Sequence, residues 1–179
     1  FVYLRKDYII EDVCLINFVN LSLEEKKMIL GWRNHDMVRI WMYSSHIISF
    51  EEHLSFIEGL KNDNKNFYWL VRDKAGLDLG VVYLNNVDLN NKNAYLGIYA
   101  NPNNEKLKVG KILIESLKVL AFKIWNLHTL KLEVVNLNKR AIRFYKNAGF
   151  EKEGILREFV YIDSMWHDIE IMGIINNSR

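Results

Sequence analysis

Apolar residues along this chain recur with two periods. The run from Val13 to Val19, VCLINFV, is β-branched and aromatic and predicts a strand. Ser22 followed three residues later by Glu25 is the pairing of a capping box, so a helix is expected from there through MILGWRN to about residue 35. Ser49 with Glu52 repeats the signal ahead of HLSFIEGL and predicts a second helix that stops near Asn62. From 67 to 100 the period shortens. FYWLVR, GVVYLNNV and AYLGIYA, set apart by Lys74-Ala75-Gly76 and Asn90-Asn91-Lys92, predict three consecutive antiparallel strands.

After the connection NPNNEKLKVG, Leu113, Leu117, Leu120 and Ile124 return at helical spacing and predict a long helix laid on the sheet. HTLKLEVVN reads as a strand. NKRAIRFYKNAGF reads as a short helix that opens at Asn138 and closes at Gly149, in the left-handed position after a helix end. Two strands, around 155–162 and 168–175, complete the chain. No repeat, low-complexity tract or Pro/Gly-rich linker divides it, so residues 1–179 are expected to form a single mixed α/β (α+β) domain.

Composition narrows the function classes. Half of the residues are hydrophobic and 26% are charged, which suits a soluble globular protein and excludes a disordered one. The net charge of +2 gives no global nucleic-acid or membrane-directed footprint, so an anion site must be local and neither partner is expected. One cysteine, Cys14, permits no internal disulfide framework, and no apolar run reaches the length that spans a bilayer. Without a secretory pattern at the N-terminus, the expected location is the cytoplasm. The chain opens at Phe1 rather than Met, which leaves room for a few preceding residues.

Three clusters carry candidate chemistry. In NEKLKVGKIL a loop with three lysines and Gly110 leads into a helix. The amides at a helix start lack intrahelical partners and bear partial positive charge, a cradle for an anion, although a solvated lysine loop would read the same way. Glu133 sits inside an apolar strand with Tyr145 twelve residues on, in the helix begun by Asn138. A carboxylate in a strand core needs a partner or a raised pKa, which a general base also needs, while a salt-bridged Glu and a core phenol are the plain alternatives. The third cluster, WRNHDMVRIWMY, sets Arg33, Met42 and Tyr43 near His53 and Phe56 of the second helix. Aromatic groups beside Arg and His suit a nucleotide-bearing substrate, and an amphipathic helix pair would look alike.

Other motifs fail. DLNNKN at 88–93 starts like a calcium loop, but Asn93 stands where glycine is needed and Tyr99 where glutamate is needed. Histidines 35, 46, 53, 128 and 167 show no metal-ligand spacing, so no metal is expected. Covalent catalysis has no support either, because no Gly-x-Ser-x-Gly elbow exists and Cys14 lies in a strand.

Taken in order, the strand AYLGIYANP, the loop ending in Gly110, a long helix, the strand LEV and Asn138-KRAIRFYKNAGF resemble the GCN5-related N-acetyltransferase (GNAT) superfamily across the whole chain. The tail GILREFVYIDSMWHDIEIMGI looks like its branch of ribosomal-protein and spermidine acetyltransferases. More narrowly, WRNHDMVRIWMY, ISFEEHLSFIEGL and YLGIYANP resemble the sugar-nucleotide N-acetyltransferases of pseudaminic acid biosynthesis, which acetylate the 4-amino group of a UDP-linked 4-amino-4,6-dideoxy-N-acetyl-altrosamine and so serve flagellin or surface glycans. The family loop usually reads Gln/Arg-x-x-Gly-x-Gly/Ala. Here EKLKVG puts Glu105 and Lys108 at its first residue and first glycine, and only Gly110 fits.

The resemblance implies a GNAT fold, a mixed and mostly antiparallel central sheet of about seven strands flanked by helices. It implies acetyl-CoA as co-substrate. The pantetheine arm is expected along the backbone at Ile98 and Tyr99, and the pyrophosphate on Lys106, Leu107, Lys108, Val109, Gly110 and Lys111, with Asn138 also on the cofactor side. Glu133 becomes the base, directly or through water, and Tyr145, seven residues after Asn138, the acid that protonates the departing thiolate in a direct attack without an acyl-enzyme. Met42, Tyr43, Phe56 and Tyr95 are expected to line the acceptor pocket with Arg33 and His53 nearby, where an apolar lining suits a 6-deoxy methyl group. Rival readings are a ribosomal-protein, peptide or polyamine acetyltransferase of the same fold and a non-catalytic acyl-CoA-binding module. A homodimer is compatible with the sequence.

Overall fold

The computed structural model describes residues 4–104 and 108–177. Its elements follow in the order β1 (Tyr8–Ile10), β2 (Val13–Asn17), α1 (Leu23–Asn34), α2 (Asp36–Arg39), α3 (Phe50–Gly59), β3 (Phe67–Asp73), β4 (Asp78–Asp88) and β5 (Asn93–Ala100). Then come α4 (Val109–Lys118), β6 (Thr129–Val135), α5 (Lys139–Asn147), β7 (Glu151–Ile162) and β8 (Met165–Ile175). Eight strands form one sheet in the order β1-β2-β3-β4-β5-β6-β8-β7, rather than about seven. The additional strand is β1, whose three residues are too few to display an alternation.

Local signals place the helices. Ser22 and Glu25 form the full capping box, Ser49 accepts from the Glu52 amide, and Asn138 accepts from the Ala141 amide. Each such cap contributes about 1 kcal/mol. Gly149 ends α5 at φ +99°, and its N–H donates to the Lys146 carbonyl at 3.0 Å. Several boundaries differ from expectation: β7 and β8 begin at Glu151 and Met165 rather than near 155 and 168, and α4 ends at Lys118, with π-helical turns running on to Ile124. β2 stops at Asn17 because that side chain caps a short 3₁₀ turn, Phe18–Asn20. The helix expected to run to residue 35 ends at Asn34, where His35 turns extended and caps the single turn of α2.

Alternation along the strands gives the sheet two apolar faces. On one, Trp69, Val82, Leu96 and Leu130 pack with Leu113 and Leu117 of α4, and Ile142 of α5 joins the same core. On the other, Leu70 and Val81 pack with Ile29 and Trp32 of α1 and Ile57 of α3. Burying each such side chain contributes about 1.5–3 kcal/mol. A one-residue slip of β3 would exchange its whole set between faces, so the register is strongly specified.

All strand pairs are antiparallel except β5 with β6, which run parallel through the α4 crossover. That pair positions everything that follows.

Candidate active site

The β5–β6 pairing covers only Asn93–Tyr95 against Thr129–Lys131. Beyond it β5 continues to Ala100 beside β4, and β6 continues to Val135 beside β8. The two strands therefore part inside the sheet, and the inner edge of β5 past Tyr95 has no strand partner among the described residues. Such a cleft joins the two faces of the sheet and offers main-chain hydrogen bonding to an extended ligand. Ile98 faces the α4 core just past the split, and Tyr99 faces the α1/α3 side.

α4 begins at the end of the connection from β5. Lys108 is its N-cap residue, in the left-handed conformation with φ 63°, and among the described residues no side chain caps this helix. Its first turn holds no acidic residue, whereas α1 and α3 each carry two. Lys108 and Lys111 are exposed beside these amides, and Val109 is buried. Lys106 and Leu107, expected in the same cradle, lie outside the described residues, as does Glu105. Gly110 serves a purpose the sequence did not reveal. A Cβ there would meet the Phe144 ring at 3.2 Å, so its missing side chain lets α4 pack closely on α5.

Tyr145 projects from α5 on the α4 side. Its ring packs edge-on against Phe144 at 5.2 Å and Phe150 at 5.7 Å, and its hydroxyl makes no hydrogen bond to a described residue. Burial pushes its pKa up, and the Tyr83 phenol adds to the shift, so Tyr145 stays a protonated donor.

Glu133 lies on the opposite face and is exposed, which corrects the expectation of a carboxylate enclosed in a strand core. Leu132 and Val134 turn inward, and by alternation Glu133 turns toward the α1/α3 side. There its Oε2 accepts a short hydrogen bond from the Tyr43 hydroxyl. Tyr43 sits in the segment after α2. Desolvation first, then the hydrogen bond and charge of Glu133, push the Tyr43 pKa up, which keeps the phenol a donor. Main-chain carbonyls hold this segment in place. Arg33 Nη2 donates to the Ser44 carbonyl at 3.1 Å and Arg39 Nη1 to the Ser45 carbonyl at 2.8 Å. The Asn34 amide closes the far end by pairing with both backbone groups of Ile48. Met42 rides on the same segment, half-buried.

An aromatic row crosses this face. Phe56 of α3 stands edge-on to Tyr68 at 5.1 Å, Tyr68 stacks on Tyr83 at 4.7 Å, and Tyr83 tilts toward Tyr99 at 6.5 Å. Burial lowers the pKa of the Arg33 guanidinium, and the phenols of Tyr99, Tyr83 and Tyr68 partly restore it. Arg33 Nη1 is buried without a hydrogen-bond partner among the described residues. Tyr95 lies near Tyr43 on the same side. The structure thus gathers Arg33, Tyr43, Phe56, Tyr95 and Glu133 on one face.

His53 does not join them. It is 5% exposed, and its Nε2 meets the Lys26 carbonyl at 2.9 Å, so its polarity is spent in binding α3 to α1. Asn138 uses its Oδ1 to cap α5. Sequence reasoning missed Tyr68, Tyr83 and Gly97. Their signal was the tyrosines recurring in FYWLVR, GVVYLNNV and AYLGIYA, which alternation sends to one face. Among the described residues no His, Cys, Asp or Glu cluster could hold a metal, and no helix is long and apolar enough to cross a membrane.

The strands β5 and β6 thus part beside the start of α4, with the Glu133 carboxylate on one face of the sheet and the Tyr145 phenol on the other. A model of the acetyltransferase (GNAT) domain matches residues 21–171, and the chain belongs to this family of acetyl-transferring enzymes. It is 36% identical over 149 residues to the acetyltransferase PseH of Campylobacter jejuni subsp. jejuni serotype O:2, covering 83% of this chain and 90% of that protein. Spermidine N(1)-acetyltransferase of Vibrio cholerae is 26% identical over 144 residues, covering 80% and 83%. In fold the chain is similar to a spermidine N-acetyltransferase from Vibrio cholerae solved in complex with CoA and spermine. The TM-score is 0.83 at 23% identity, over 93% of this chain and 96% of that one.

Proposed function

We propose that this protein, as one domain, moves an acetyl group directly from acetyl-CoA to the 4-amino group of a UDP-linked amino-dideoxy sugar, as in the pseudaminic acid pathway. The observation that carries acetyl transfer is the parting of β5 and β6 with Tyr145 on one face and the Glu133–Tyr43 pair on the other. The likeness to acetyltransferase PseH supports the choice of acceptor.

The residues present fit acetyl-CoA. Among the described residues, α4 starts without a side-chain cap and without an acid in its first turn, the inner edge of β5 has no strand partner, and the Tyr145 hydroxyl has no hydrogen-bond partner. The amides from Lys108 to Lys111 would hold the diphosphate, and the backbone at Ile98 and Tyr99 the pantetheine arm. When bound, acetyl-CoA supplies the thioester-activated acyl group. Glu133, directly or through one water, takes the proton that the attacking amine must lose. Tyr43 keeps that carboxylate aimed by donating to it. Tyr145 gives its proton to the departing sulfur.

On the acceptor side, Arg33 decides between substrates. A half-desolvated guanidinium with a buried Nη1, unpartnered among the described residues, favours an oxygen-rich, anionic acceptor and repels a polycation. The row of Phe56, Tyr68 and Tyr83 suits a uracil ring or a sugar's apolar face. These features favour a sugar nucleotide over the polyamine of the Vibrio relative.

The test is acetyl-CoA turnover with the UDP-4-amino sugar, spermidine and a peptide in parallel, read by CoA release and by product mass. The expected result is acetylation of the sugar nucleotide at least ~10-fold faster than of the others. Turnover of spermidine or the peptide alone would overturn the acceptor, and acetyl-CoA binding without turnover of any of them would reduce the protein to a binding module.

A further inference from the structure

Tyr83 stands opposite Gly97 in the β4–β5 register, two residues past the last paired position of β5. A Cβ on Gly97 would lie 2.0 Å from the Tyr83 Cζ and 2.1 Å from its Oη. The hydroxyl end of the phenol therefore occupies the space above Gly97, at the mouth of the cleft on the acceptor side. Two neighbouring rings hold it there. Its ring stacks on Tyr68 with planes 18° apart, Tyr68 accepts from Asn85 Nδ2 at 3.2 Å, and Tyr99 flanks the other side. A side chain fixed so firmly would be expected to spend its hydroxyl on a protein partner, yet that hydroxyl makes no hydrogen bond to a described residue. Its phenol acts electrostatically on Tyr43 on the acceptor side and on Tyr145 of the opposite face. Burial raises its pKa and keeps the phenol neutral.

We infer that Tyr83 touches the acceptor: above Gly97 its hydroxyl oxygen accepts a hydrogen bond from one N–H of the incoming amine and turns the nitrogen lone pair into the cleft. The other N–H is left for Glu133. Gly97 is required because any side chain there would push the phenol away. This rests on the reading above, in which the acyl group lies between β5 and β6.

The experiment compares wild type, Tyr83→Phe, Gly97→Ala and the double variant, with acetyl-CoA and either the UDP-4-amino sugar or spermidine, whichever the wild type acetylates. Acetyl-CoA affinity and melting temperature are measured alongside. Tyr83→Phe keeps the ring and should lower acceptor-dependent kcat by roughly 10- to 100-fold, the scale of a misplaced reactant, while acetyl-CoA affinity stays within about twofold. Gly97→Ala should cause a similar loss, and the double variant should be no worse than the worse single one, because both changes remove the same contact. Wild-type kcat in Tyr83→Phe, or losses that multiply in the double variant, would overturn the inference alone. A wild type that binds acetyl-CoA but acetylates neither acceptor would overturn the functional reading, and this inference with it.

Discussion

The Tyr43 hydroxyl donates to Glu133 Oε2 across 90 positions of the chain, joining the segment after α2 to β6 on the acceptor side of the cleft. If Glu133 takes the amine proton, Glu133→Gln preserves an oxygen acceptor for Tyr43 but removes the base. The expected loss in kcat is about 10²-fold, with acetyl-CoA affinity unchanged. Tyr43→Phe leaves the base in place without its aim, and should raise KM for the acceptor more than it lowers kcat. Steady-state kinetics with both substrates varied would check the split, and a Glu133→Gln enzyme with wild-type kcat would remove Glu133 from the mechanism.

Tyr145 is held by packing rather than by hydrogen bonds to described residues, so Tyr145→Phe should fold and bind acetyl-CoA as the wild type does. Its turnover should fall at least ~10²-fold. Because burial raises its pKa, Tyr145 remains protonated through neutral and mildly alkaline pH, so its own ionisation should not limit the rate there. A kcat profile that declines near pH 8 in the wild type and loses that decline in Tyr145→Phe would contradict this.

Lys108 takes a left-handed conformation at the place where relatives of this family carry the first glycine of the loop. An L-residue there costs about 1–2 kcal/mol, and glycine returns part of that gain as chain entropy. Lys108→Gly should therefore stabilise the protein by about 0.5–1 kcal/mol, read as a rise of about 1–4 °C in thermal melting. If main-chain amides do most of the holding, as proposed, losing one exposed lysine should raise KM for acetyl-CoA only a few-fold.

His53 links stability to pH. Burial depresses its pKa, and the hydrogen bond to the Lys26 carbonyl only partly offsets this, so the folded protein holds the ring neutral. The unfolded chain binds a proton near pH 6.5. The stability it supports is thus fully present above about pH 6.5 and is lost as pH falls through the folded value. Urea denaturation of wild type between pH 7.5 and 5 should show this decline, and His53→Gln, which can still donate to the carbonyl, should flatten it. An equal slope in both proteins would place the acid sensitivity elsewhere.

The helix starts at Ser22, Ser49 and Asn138 were legible because a cap joins residues three apart, and the end at Gly149 because one dihedral requires it. The roles expected of the loop before α4, of Glu133 and of Tyr145 rested on the resemblance that the order of elements carries. The reasons attached to single residues fared less well. The packing of Gly110 against the Phe144 ring was not legible, because α5 comes to it only in the folded protein. His53 was read as a pocket residue, whereas α1 supplied a carbonyl that no pattern within α3 announces.

What the chain's order of residues determined by itself was therefore the local layer: which of the longer stretches become helix or strand, where α1, α3 and α5 begin, and which strand residues share a face, whereas the short β1 and α2 escaped it. The tertiary structure decided the rest. The splitting of β5 from β6, the exposure of Glu133 beside Tyr43 and the seating of Tyr83 over Gly97 all depend on strand register and on loops that close over tens of residues. Capping and periodicity act within a turn or two of the chain, whereas these contacts exist only after the sheet has brought distant segments together.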